Sequence, residues 1–204
     1  MSKRFAPATE RNRTPLLAVL ESQLPKAGTI LEVAAGTGQH AAFFAPRLAP
    51  RWWLPTDLDE ANIASIAAWR EEVDASNLLP PQPLDVLAPR WSVEASVLPE
   101  PISGIVNINM VHISPWSCCE SLFDGAARML KPQAPILMYG PFKRGEEHTA
   151  PSNAAFDQQL RAQDPHWGVR NLEDVIDAAE ARGFSLGVVV EMPANNLMVS
   201  FVRA

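Results

Sequence analysis

Residues 30–40 read ILEVAAGTGQH. Ile30 to Val33 form an apolar run broken by one acid, Glu32, and the run ends in a glycine loop with Gly36 and Gly38. A short apolar run closed by glycines reads as a buried strand turning into a helix. The glycines permit a tight turn and a close approach of backbone to a ligand, and the N-terminus of the next helix faces that ligand. The letters fit two ligands. Gly36-Thr37-Gly38-Gln39-His40-Ala41 satisfies the dinucleotide pattern G-x-G-x-x-G/A. Glu32-x-x-x-Gly36-x-Gly38 is also the spelling of a methyltransferase glycine loop.

Outward from the loop, strands and helices alternate. Upstream, Thr14 can cap a helix with Pro15 at its first position, Leu16, Leu17, Leu20 and Leu24 on one face, and Pro25 and Gly28 at its end. The strand at 29–34 follows, then a helix through Ala41, Phe44 and Leu48 that stops before Pro50. WWLPTD, 52–57, is a second strand; Asp59 caps a helix with Ile63, Ile66, Ala67 and Val73 inward; QPLDV, 82–86, is a third strand. The stretch 87–104 is proline-interrupted. Strands at 104–113 and 134–140 flank a helix at 116–130. A polar loop, 143–152, leads into a helix carrying Phe156 and Leu160, and Asn171 caps another that ends near Gly183. Two β-rich segments, 185–192 and 197–203, close the chain around a loop containing PANN.

Alternation of this kind demands a parallel sheet with helices on both faces. The short final connection fits a hairpin and no crossover. The expectation is therefore a doubly wound, Rossmann-like α/β sheet of seven strands, mostly parallel, with one reversed C-terminal strand. A length of 204 residues fits a single domain, with 1–28 as an N-terminal arm and helix and 29–204 as the core.

Composition narrows the function. Hydrophobic residues make up 47% and charged residues 20%, ordinary for a globular protein. A net charge of −6 argues against a basic stripe that tracks phosphates, so no nucleic-acid partner is expected. No apolar run reaches the roughly 18 to 20 residues of a membrane span. MSKRFAPATERNR has no apolar core of a secretory signal, so the cytoplasm is the expected compartment. The two cysteines, Cys118 and Cys119, are adjacent and lack ligand spacing, and His40, His112, His148 and His166 show no paired spacing, so no metal is expected. Oligomeric state is not written in the sequence.

Which cofactor the loop takes is decided downstream. In a doubly wound sheet the ligand lies over the C-terminal strand ends, and an acid about 20 residues past the glycines holds a ribose diol. Asp57, 19 residues past Gly38, ends the second strand. That suits NAD and S-adenosylmethionine (SAM) alike. Glu32 tips the balance. A carboxylate inside a buried strand needs a fixed job; a dinucleotide site has none for it, whereas a SAM site uses one to hold the loop and the ligand's cationic amino-acid end. Asp85 ends the third strand, where a methyltransferase contacts the adenine amino group, and the reversed final hairpin completes a methyltransferase sheet. Tyr139-Gly-Pro-Phe-Lys143 spells the Y-x-x-x-K pair of short-chain dehydrogenases, but Pro141 forbids the shared helix face that pair requires.

Through LEVAAGTGQH, Asp57 and Asp85 the chain resembles the class I SAM-dependent methyltransferases. Through FAPATERNRTPLL, INMVHISPW, YGPF, SNAAFD, WGVR and MPANNL it resembles, over nearly its whole length, the methyltransferase-like 26 family. The resemblance implies the class I fold and binding of SAM, with S-adenosylhomocysteine (SAH) as product, and supplies no established acceptor. Ala34 departs from the glycine common in the class and implies a slightly tighter loop.

The cofactor-binding candidates are Glu32, Ala34, Gly36, Gly38, Asp57, Leu58, Asp85, Val86 and Asn109. His112, in the pKa range of a general base, and Tyr139, at a strand end, are the catalytic candidates. For a small-molecule acceptor the pocket candidates are Asn12 and Arg13, in an arm that closes over the site, with Trp116, Asn153 and Asp157. Two other readings stay open: a SAM- or SAH-binding protein without turnover, and a nicotinamide-dependent oxidoreductase.

Overall fold

Thr29–Val33 (β1) is buried at every position, and Trp52–Asp57 (β2) at every position but the first. Strands apolar on both faces must be covered on both faces, which is why this sequence pattern makes a helix-clad parallel sheet. A computed structural model describes residues 3–204. The chain forms two compact units, the first ending at Asn107 and the second spanning Ile108–Ala204.

In the first unit β1 pairs in parallel with β2 on one side and with Ile102–Ile108 (β4) on the other, and β2 pairs in parallel with Gln82–Pro83 (β3), giving the order β3-β2-β1-β4. Its helices are Pro7–Gln23 (α1), Gln39–Phe44 (α2) and Glu60–Glu72 (α3). In the second unit Pro135–Gly140 (β5), Asn196–Arg203 (β7) and Phe184–Met192 (β6) run in the order β5-β7-β6, with β7 antiparallel to both neighbours. Its helices are Trp116–Met129 (α4), Pro151–Gln163 (α5) and Leu172–Glu180 (α6). The class is the expected seven-stranded, Rossmann-like α/β sheet with a reversed C-terminal strand. That strand lies between β5 and β6, so β6 takes the edge.

Departures from the sequence reading have local causes. α1 begins seven residues early in the chain because Pro7, not Pro15, takes the first helical position; Pro15 sits inside the helix and leaves one backbone hydrogen bond unmade. β3 shrinks to two residues, since Pro80, Pro81 and Pro83 remove ladder donors. β4 stops at Ile108, and Asn109 takes a left-handed φ of 65° that starts a 3₁₀ turn over Met110–His112. Asn tolerates that conformation better than most residues do. Of the four α3 residues expected inward, Ile66 is the one fully buried, but the Asp59 cap is present, accepting the Ala61 N–H at 2.8 Å.

The two loop glycines are required for different reasons. Gly38 sits at φ 88°, and a Cβ there would lie 2.6 Å from the Ile66 Cα, so α3 packs directly on the loop. Gly36 is also left-handed, at φ 59°, but a Cβ there would meet nothing within 4 Å. Gly38→Ala is expected to cost about 2 kcal/mol and lower the melting temperature by about 4 to 8 °C. Gly36→Ala should cost less than half of that, as the left-handed alanine Ala34 at φ 59° already shows is tolerable. Equal melting temperatures for the two variants would contradict this division of labour.

Candidate functional site

Asp57 ends β2 beside the glycine loop and is 7% exposed. Its Oδ2 accepts the Gly36 N–H at 2.8 Å, and its Oδ1 accepts the Asp59 N–H at 3.0 Å and the Asn62 side-chain amide at 3.1 Å. A carboxylate offers about four acceptor positions. Three are filled by the protein, and the spare one is on Oδ2, next to the open face of Gly36. The carboxylate therefore braces the loop and keeps acceptor capacity for a ligand hydroxyl.

Leu58 follows Asp57 and is 67% exposed; Leu87 follows Asp85 by two residues and is 48% exposed. Such exposed leucines beside strand-end acids suit a flat apolar ring. Val86 is buried at 9% exposure. Asp85 is exposed and at present closes its own turn, accepting the Leu87 N–H at 2.9 Å.

Glu32 has a different partner from the one its position suggests. It is 1% exposed, and its Oε2 accepts the indole N–H of Trp53 at 2.7 Å, across to β2 and away from the loop amides. Burial pushes its pKa up to about 8 against the lowering effect of the indole, with the Asp57 charge adding to the rise. At neutral pH it is a protonated acid, which resolves the cost of a buried charge by removing the charge.

The N-terminal arm is bound to this region at several points. The Arg4 N–H donates to Ser65 Oγ at 2.8 Å, and Ser65 Oγ donates to the Thr37 carbonyl in the loop at 2.8 Å. Arg4 also reaches Asn62 at 2.6 Å, and Asn62 in turn holds Asp57. The Ala6 N–H donates to Gln39 Oε1 at 2.5 Å. Asn12 Oδ1 meets His40 Nε2 at 2.9 Å, so of the two arm candidates Asn12 touches the loop helix. Arg13 instead pairs with Glu10 at 2.8 Å and lies over the Phe43 ring.

Two buried polar atoms near the loop have no hydrogen-bond partner: Gln39 Nε2 and Asn107 Oδ1. Neither residue stood out in the sequence. Asn107 carried the same signal as Glu32, a polar letter inside an apolar strand. Gln39 lies within the glycine motif at a position the motif leaves unspecified.

In the second unit, His112 is fully buried. Its Nδ1 accepts the Arg170 N–H at 3.2 Å, its carbonyl accepts the Gly168 N–H at 2.8 Å, and its ring packs edge-on to Phe142. Burial, aided by Arg170, lowers its pKa to about 3. A dry imidazole that stays neutral throughout the physiological range braces the 168–170 segment, and the structure gives it no acceptor-facing surface. Tyr139 lies within β5, 4% exposed, opposite Met198. Asn109 lies beyond β4; its N–H donates to the Tyr139 carbonyl at 2.9 Å.

Asn153 and Asp157 lie on the buried face of α5, where Phe156 was the expected inward residue. Asn153 donates to the Asn195 carbonyl at 2.8 Å, tying α5 to the β6–β7 turn. Asp157 accepts the Val169 N–H at 2.7 Å and the Arg161 Nε at 3.2 Å, with His148 at 3.4 Å and Lys143 at 4.0 Å. Burial alone would raise its pKa; the Val169 and Arg161 hydrogen bonds and the neighbouring cations outweigh it and hold the carboxyl below its ordinary value. Trp116 opens α4, under the Arg170 guanidinium, and lines a groove of about 860 Å³ together with Lys143, Arg170, Asn171 and Asp174. The strings INMVHISPW, YGPF, SNAAFD, WGVR and MPANNL thus belong to one hydrogen-bonded network. Among the described residues there is no group of three or more His, Cys, Asp or Glu placed to hold a metal, and no helix is long and apolar enough to cross a membrane.

A family model described as "Protein of unknown function (DUF938)" matches residues 3–203. Solved structures similar to the chain include human N-acetylserotonin methyltransferase in complex with SAM, at 12% identity and a TM-score of 0.75, covering 97% of this chain and 53% of that one. An O-methyltransferase family 2 protein from Planctomyces limnophilus, in complex with apigenin, matches at 15% identity and a TM-score of 0.72, covering 94% and 62%. CalO1, a methyltransferase in calicheamicin biosynthesis, in its SAH-bound form, matches at 15% identity and a TM-score of 0.67, covering 94% and 55%. The chain thus spans between half and two thirds of these proteins. At such identities the likeness is one of fold.

Proposed function

We propose that this chain, which belongs to the DUF938 family, is a class I methyltransferase that binds SAM and methylates a small-molecule acceptor. One observation carries the reading: Asp57 ends β2 with an acceptor position to spare, next to the one loop residue, Gly36, whose Cβ position opens onto empty space. The SAM- and SAH-bound states of similarly folded proteins support it, as does the resemblance of the family-specific strings to methyltransferase-like 26 proteins.

When bound, SAM supplies a methyl group on a positively charged sulfur, and its transfer to an O, N or S acceptor leaves SAH. The chain's own part is to bind and orient. Asp57 takes the ribose hydroxyls, Leu58 and Leu87 flank the adenine with Val86 behind them, and Asp85 gives up its own turn to receive the adenine amino group. The Gly36–Gly38 backbone follows the ligand closely. Acceptor selection falls to the second unit, whose network around Trp116, Asn153 and Asp157 separates this family from other methyltransferases. We treat the whole chain as one functional domain, as the family match over residues 3–203 supports.

A ligand that binds only the native state at about 100 times its dissociation constant adds about 2.7 kcal/mol of stability. SAM and SAH are expected to raise the melting temperature, and NAD is not; stabilisation by NAD alone would transfer the protein to the oxidoreductases. A second reading, SAM or SAH binding without turnover, is favoured by the dry, fully bonded state of His112. Positioning and exclusion of water suffice for methyl transfer when the acceptor holds no proton that must be removed. Formation of SAH from SAM in the presence of a metabolite extract decides for the enzyme; stable SAM under those conditions decides for the binding protein.

A further inference from the structure

Resting on the SAM reading, we infer that the amino-acid end of the ligand is recognised by two neutral side-chain amides, Asn107 and Gln39, and not by the acid Glu32. The observation is a matched pair of vacancies. Asn107, 1% exposed, donates its Nδ2 to the Val33 carbonyl at 3.0 Å, leaving Oδ1 buried with no partner. Gln39, 3% exposed, uses Oε1 to accept the Ala6 N–H at 2.5 Å and the Thr37 hydroxyl at 3.1 Å, leaving Nε2 buried with no partner. Neither amide can be turned over to remove the vacancy. A carbonyl must face the NH₂ of Asn107, and a backbone N–H must face the oxygen of Gln39.

The two vacancies are chemically opposite and bracket the loop. Asn107 is in register with Val33, the residue before the loop, and its free atom is an acceptor. Gln39 is the first residue after Gly38, and its free atoms are donors. A ligand that satisfies both brings a donor and an acceptor on one small unit, as the ammonium and carboxylate of an α-amino acid do. Buried polar atoms are nearly always paired in native proteins, so two orphans at the two ends of one ligand loop are an unusual coincidence. Glu32 is closed to this task because Trp53 occupies it and its proton is retained near neutrality.

Both atoms are shut off from water in the ligand-free protein, where the Gly36 N–H leans on Asp57. Ribose hydroxyls arriving at Asp57 replace that brace, and the loop is then free to admit the amino-acid end between Asn107 and Gln39.

The test compares SAH with 5′-methylthioadenosine, which keeps the adenosine and the thioether but lacks the amino-acid end. Dissociation constants are measured by calorimetry for the wild type, Asn107→Leu and Gln39→Glu. Gln39→Glu keeps the acceptor for Ala6 and removes only the donors. A hydrogen bond to a charged group corresponds to roughly a tenfold to hundredfold change in affinity. Wild type should prefer SAH by roughly a hundredfold, and each variant should lose about tenfold or more for SAH with methylthioadenosine changed by less than about threefold. An SAH preference left intact in both variants overturns the inference while leaving the SAM reading standing. Should Asn107→Leu fail to fold, Gln39→Glu alone decides, since its site of change is adjacent to solvent-facing Thr37 and keeps its tether. Failure of the wild type to bind either nucleoside sinks the SAM reading itself, and this inference with it.

Discussion

Asp57→Ala should abolish the melting-temperature increase produced by SAH and raise the SAH dissociation constant by about two orders of magnitude. The ribose hydroxyls lose a charged acceptor, and hydrogen bonds to charged groups are each worth about 1.5 to 3 kcal/mol. A second loss adds to this. The carboxylate holds three protein donors: the Gly36 and Asp59 amides and the Asn62 side chain. Alanine releases all three, so the loop loses its brace and the free protein is itself destabilised by about 2 kcal/mol. Asp57→Asn separates the two effects. It keeps one carbonyl oxygen for some of the donors but places an NH₂ against at least one N–H. Its melting temperature should fall less than that of the alanine variant, with SAH binding still weakened at least tenfold. Calorimetric titration with SAH and amide exchange at Gly36 are the measurements. Undiminished SAH affinity in Asp57→Ala would remove Asp57 from the site and with it the main support for the cofactor assignment.

Much of this site was readable from the chain because it depends on local signals. An apolar run followed by Gly36 and Gly38 announces a strand, a turn and a helix, and spacing alone takes the reader to Asp57. The acids Asp57 and Asp85 fall at strand ends, as their positions after apolar letters indicate. What could not be read depends on partners distant in sequence. Glu32 was visible as an anomaly, but its neutralising environment and its bond to Trp53, 21 residues on, are properties of the packed sheet. The vacancies on Gln39 and Asn107 arise only once Ala6 and Val33 have claimed the other halves of those amides. His112 shows the reverse failure. A histidine shortly after a strand end suggested an accessible base, whereas the fold puts it beneath Arg170 and Phe142. Element ends were misread wherever a single backbone preference decided them: Pro7 for α1, the proline cluster for β3 and left-handed Asn109 for β4.

Stability should peak near pH 6.5, and Glu32→Gln should flatten the alkaline side of that peak. Three buried groups set the profile. Glu32 has a folded pKa of about 8 against an ordinary value of 4.5, so between those pH values the native state binds the extra proton and stability falls as pH rises. His40 and His112 have folded pKa values of about 4 and about 3 against 6.5, so below pH 6.5 the unfolded state binds the extra protons and stability falls as pH drops. One proton corresponds to about 1.4 kcal/mol per pH unit. Between pH 4.5 and 6.5 the two histidines outweigh Glu32, and stability climbs with pH by roughly 1.4 kcal/mol per unit. From pH 6.5 to 8 Glu32 acts alone, and stability declines at about the same rate. Over its whole window the acid withdraws roughly 4 to 5 kcal/mol. Glutamine keeps an acceptor for the Trp53 indole and does not ionise, so its stability should stay level from pH 6.5 to about 8.5. The measurement is the urea midpoint of wild type and Glu32→Gln at half-unit steps from pH 4.5 to 9. Parallel curves above pH 6.5 would mean that Glu32 is ionised in the native state. It would then be a charged acid beside the loop, available after all to the cationic end of the ligand, and the case for Asn107 would weaken with it.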